Sequence, residues 1–75
     1  MAEEFIKRMK EAGLYDEEKD ELILYKSKWC EMRLPMTAFK EHYAPVLDAN
    51  DLEKLRQMLG RDAYEFLKKH GVIVE

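Results

Sequence analysis

The chain has 75 residues, a formal charge of −3, 39% charged residues and 47% residues of the kinds that build cores. That length allows one domain, residues 1–75, with a modest core, because so small a chain buries only about 60% of its unfolded surface. The composition excludes a disordered acidic tail, a collagen-like chain and a disulfide scaffold, and no apolar run reaches the ~18 residues of a membrane span.

Taken in chain order, the pattern predicts an all-α bundle of four to five short helices. The first helix covers residues 3–12. Phe5, Ile6, Met9 and Ala12 share one face at three- and four-residue spacings. Gly13 sits where a left-handed residue ends a helix, so Leu14 should fold back onto Met9 in a Schellman cap.

The second helix is predicted over residues 17–33, after Asp16 as N-cap and before Pro35. Acids crowd its start (Glu17, Glu18, Asp20, Glu21) and bases its end (Lys26, Lys28, Arg33), which suits the helix dipole. On a helical wheel Leu22, Tyr25, Trp29 and Met32 take one side, and Ile23, Cys30 and Leu34 another. A basic row of Lys19, Lys26 and Arg33 runs between them. A basic row within a broad apolar surface departs from the ordinary amphipathic pattern. Either the stems snorkel between two packed neighbours, or the row reads an acidic partner beside aromatic residues. On this reading Trp29 is mainly core, and the strip from Lys26 to Arg33 lies at an interface rim. The candidate partner-binding residues are therefore Lys19, Tyr25, Lys26, Trp29 and Arg33.

A third helix should follow Thr37 as cap and end near Ala44, or kink there, because Pro45 removes a helical hydrogen bond. The fourth should start after Asp48, the better cap, with Asp51 in its first turn. It carries Leu52, Leu55, Met58 and Leu59 to a stop at Gly60. The fifth should run over residues 63–70 after Asp62, ending at Gly71, with Val72 folded back onto Leu67. The sequence Val72-Ile73-Val74 then reads as an extended tail, either an edge strand or a hydrophobic plug. The run from Leu47 to Val72 is similar to the small helical subunit of protocatechuate-type ring-cleaving dioxygenases in three generic features: a leucine-rich helix, Asp62 and a glycine-terminated helix. No residue role carries over from that similarity.

The chemical constellations fail on spacing. Cys30, His42 and His70 offer no pair with the separation that places two metal ligands on one helical face. Cys30, beside Trp29 on an apolar side, reads as a quiet buried spacer, and Ser27 lacks the glycines of a nucleophile elbow. The three glycines are isolated, so no phosphate loop is present. These features point to no catalytic residues, no cofactor and no metal. One cysteine and an acidic N-terminus favour a cytoplasmic protein.

The expected function is a small protein–protein interaction module, either an accessory subunit, adaptor or inhibitor of a larger protein, or a homo-oligomer. The alternative is a helix-turn-helix-like nucleic-acid-binding regulator using the fourth and fifth helices, with the tail opening a wing. Mixed charges on both helices count against it.

Overall fold

The computed structural model describes residues 2–75. Its architecture is α+β rather than all-α. Helix α1 (Ala2–Glu11) leads into a three-stranded antiparallel sheet of β1 (Tyr15–Asp16), β2 (Glu21–Lys26) and β3 (Glu31–Pro35), in the order β1-β2-β3. Four helices follow: α2 (Met36–His42), α3 (Ala44–Asp48), α4 (Leu52–Leu59) and α5 (Arg61–Lys69). No helix among the described residues is long and apolar enough to cross a membrane.

The predicted second helix is the part that the structure overturns. Residues 17–33 form a turn, β2, a hairpin and most of β3. Of the acids taken for a helical first turn, Glu17, Glu18 and Asp20 sit in the β1–β2 connection and Glu21 opens β2; the Asp16 side chain, at the end of β1, accepts from the Lys19 N–H in that connection at 3.2 Å. Asp20 there adopts φ +54°, a conformation that Asp tolerates better than most residues. Leu22-Ile23-Leu24-Tyr25 is a contiguous apolar run, as suits a short strand covered on both faces, and residues 31–35 alternate in strand fashion. The strand also carries a β-bulge. The register steps from Ile23↔Arg33 to Tyr25↔Met32, leaving Leu24 as the extra residue on β2. Leu22 and Ile23 precede the bulge on opposite faces of the strand, and both are buried, as is Leu24.

The helical remainder is close to expectation, with corrections at the caps. Both predicted Schellman caps form. The Leu14 N–H donates to the Met9 carbonyl at 2.9 Å and that of Gly13 to Lys10 at 3.1 Å. The corresponding bonds at the end of α5, Val72 to Leu67 and Gly71 to Lys68, have the same lengths. Gly13 and Gly71 have φ +74° and +78°. The expected cap Thr37 lies inside α2, which starts directly from Pro35 without a side-chain cap. The break before Pro45 divides one predicted helix into α2 and α3, with the proline in the first turn of α3, where its missing N–H costs nothing. Asp51, not Asp48, caps α4 by accepting from the Lys54 N–H at 3.1 Å. Asp48 instead accepts from the Ala2 N–H, tying the start of α1 to α3. Helix α5 starts at Arg61, one residue beyond Gly60, so Asp62 lies within its first turn.

The buried apolar residues form one cluster. At its centre Phe39 is fully buried and stacks on Phe5 and on Tyr43, each with ring centroids 5.5 Å apart. Helix α5 packs on β2, with Phe66 edge-on to Tyr25 at 5.6 Å. The tail is a plug, not an edge or wing strand: Val72 and Ile73 are buried, and only Val74 faces solvent.

Candidate interaction surface

The β2–β3 hairpin carries all but one of the residues singled out from the sequence. Its turn is built by Ser27. The Ser27 N–H donates to the Cys30 carbonyl at 2.7 Å, and the Ser27 hydroxyl accepts from the N–H groups of Cys30 and Trp29 at 3.1 and 3.4 Å. This serine closes the turn without a glycine, by offering its own side chain to the backbone. The two residues left at the tip are Lys28 and Trp29.

Trp29 is 87% exposed. The expectation that it is mainly core is therefore wrong. Among the described residues the Lys28 ammonium lies over its ring, 5.1 Å from the centroid. Cys30 beside it is also exposed rather than a buried spacer. The hairpin turns the chain outward at the residues that a helix would have turned inward. Met32, 40% exposed, continues this open apolar surface along β3.

The other candidates part company. Lys26 is exposed at the end of β2, near the tip. Tyr25 is half-buried under Phe66 and belongs to the packing of α5. Lys19 is exposed in the turn at the opposite end of β2, which spans ~20 Å at ~3.3 Å per residue. Arg33 is committed within the chain. Its Nη1–H donates to Asp16 at 2.8 Å and to Glu21 at 3.3 Å, and its Nε–H to Glu31 at 2.6 Å. The guanidinium hydrogen bond holds the Asp16 and Glu31 carboxyls below their ordinary range, and the same bonds raise Arg33. The basic row Lys19–Lys26–Arg33 thus does not exist as a row. It was a product of the helical period, and the strand separates its members.

Two residues that matter here, Lys28 and Glu31, were not singled out from the sequence as site residues. The signal for them was a polar turn, Ser27-Lys28, set between an apolar run and the alternating Glu31-Met32-Arg33-Leu34.

His70 lies against the Phe66 ring at 4.4 Å, and no cluster of three His, Cys, Asp or Glu among the described residues is arranged to hold a metal ion. A cleft between α1, the α3–α4 connection and the tail, against Phe5, Leu47, Leu55 and Val72, holds about 70 Å³. Wider, shallow surface depressions of about 460 and 480 Å³ lie against Arg56, Arg61, Tyr64 and Glu65 and against Lys10, Tyr15 and Glu17. No protein-family model matches the chain, and no curated protein or solved structure matches it.

Proposed function

We propose that this chain is a protein–protein interaction module whose recognition element is the β2–β3 hairpin, with Trp29 as its anchor. The supporting observation is the indole standing 87% exposed at the tip of a two-residue turn. A small fold that buries eighteen apolar residues among those described has a core to receive a tryptophan, yet it holds this one out. Tryptophan is among the residues that dominate binding energy when buried at the centre of an interface. Lys26 and Lys28 beside it favour a partner whose apolar pocket is rimmed by carboxylates. Arg33 is not part of the Trp29 anchor at the tip, because three carboxylates of its own chain hold its side chain along the strand. The role is binding rather than catalysis.

The test is photocrosslinking in cells through a benzophenone amino acid at position 29, with position 57 on α4 as control. Position 29 is expected to give a discrete protein adduct that position 57 does not. Equal labelling from both positions, or none from position 29, would overturn the reading.

A further inference from the structure

Strand β3 is one edge of the sheet, the longer of the two, with no strand beyond it among the described residues. The hydrogen bonds at its two ends fix which of its backbone groups face outward. The Cys30 carbonyl accepts from Ser27, and the Met36 N–H donates to Asp20, so both point toward β2. In an antiparallel strand the N–H and C=O of one residue point the same way, and successive residues alternate. Met32 and Leu34 therefore bond inward to β2. Glu31 and Arg33 direct their N–H and C=O groups to the open edge.

We infer that this edge pairs with the same edge of a second copy of the chain, antiparallel, with Met32 on the two-fold axis. This gives the strand edge of the hairpin its own partner, apart from the one at the Trp29 tip, and rests on the reading of that hairpin as the recognition element. The register follows from parity and charge together. Only Glu31 and Arg33 offer outward groups within the strand that can both donate and accept, since Pro35 has no N–H. Centring the axis on Glu31 or on Arg33 would place like charges directly opposite one another, which is destabilising. Centring it on Met32 places Glu31 opposite Arg33 of the second copy, and each such pair can exchange both backbone bonds. It also sets Met32 against its own counterpart and Cys30 beside Leu34 of the second copy, an apolar line along one face. The result is a continuous six-stranded sheet across a two-fold axis, the commonest symmetry of small assemblies. Charged side chains usually guard an edge against indiscriminate pairing. Here the same two charges leave one register open.

Sedimentation of the full chain from dilute to concentrated solution tests this. The chain is expected to pass from monomer to dimer. Glu31→Pro removes one outward N–H and no inward bond, a position at which an edge strand tolerates proline. That variant is expected to keep its circular dichroism and remain monomeric. Should it fail to fold, a second variant decides. Met32→Cys with Cys30→Ser places a thiol against its own copy, at about 4.5 Å between Cα atoms, within bridging distance. Mild oxidation should link it into a dimer and leave Lys26→Cys with Cys30→Ser unlinked. A chain that stays monomeric throughout, or a position 26 that links as readily as position 32, would overturn the pairing. A monomeric chain that still crosslinks another protein through position 29 overturns the pairing alone. Failure at position 29 with an intact dimer overturns the Trp29 anchor alone.

Discussion

The glycine-capped ends of α1 and α5 and the tip of the β2–β3 hairpin are all places where the chain reverses, and they treat their apolar residues in opposite ways. At each helix end the glycine takes a left-handed turn, and the next residue, Leu14 or Val72, is drawn under the helix and buried. At the hairpin tip the turn is closed by a serine side chain, and Trp29 is held away from the core. The first kind of reversal stabilises the fold, and the second leaves surface for a partner. Substitutions at the two should therefore separate stability from binding.

The largest effect belongs to the core that the helix ends enclose. Phe39→Ala removes a fully buried ring that stacks on Phe5 and Tyr43 and should cost about 3–5 kcal/mol, read by urea denaturation. In so small a domain that is enough to leave the chain largely unfolded. A loss under ~1 kcal/mol would mean that the aromatic stack is not the centre of the core.

Next comes the cap itself. An added Cβ at Gly71 would meet no atom within 4 Å, so Gly71→Ala isolates the backbone cost of φ +78°, about 1–2 kcal/mol. Equal stability of the variant and the unsubstituted chain would show that Val72 is held down by packing alone.

The carboxylates around Arg33 give an effect between the two regions, and its sign depends on pH. Asp16 and Glu31 titrate below their ordinary values in the folded chain. As pH falls, the unfolded chain takes up these protons first. The stabilisation is therefore complete above the ordinary carboxylate range and is lost as pH drops through it toward the depressed folded values. Arg33→Met removes the cause of the depression. The gap in urea midpoint between the two chains should be widest near neutral pH and close in acid, and a gap of constant size would refute the assignment.

The smallest effect on stability is expected at the tip. Trp29→Ala should leave the melting temperature nearly unchanged, with a loss within ~0.5 kcal/mol, because the ring packs on nothing buried. A marked drop in melting temperature would return Trp29 to the core and remove the contrast between the two kinds of reversal.

Much of the molecule was legible without coordinates because its signals are local. A glycine after an amphipathic stripe and an aliphatic residue after the glycine were enough to place both Schellman caps, since every atom involved lies within six residues. The break at Pro45 and the stop at Gly60 were legible for the same reason. The choice between Asp48 and Asp51 as cap was not. Either can serve α4 locally, and the contact of Asp48 with the Ala2 N–H, 46 positions away, assigns it elsewhere. The sheet was hidden for a related reason. The acid-to-base gradient over residues 17–33 fits a helix dipole as well as a polar turn followed by a hairpin, and the burial of Leu22 and Ile23 on opposite faces of β2 removes the two-residue period that would have distinguished them. What decided for strands was non-local: β2 gains β3 on one side, β1 on the other and the Phe66 face of α5 above. The inventory of the candidate surface was thus present in the sequence as Lys26, Trp29 and their neighbours. Which of them face a partner and which, like Arg33, face their own chain depended on hydrogen bonds between residues far apart in sequence, and only the tertiary structure sets those.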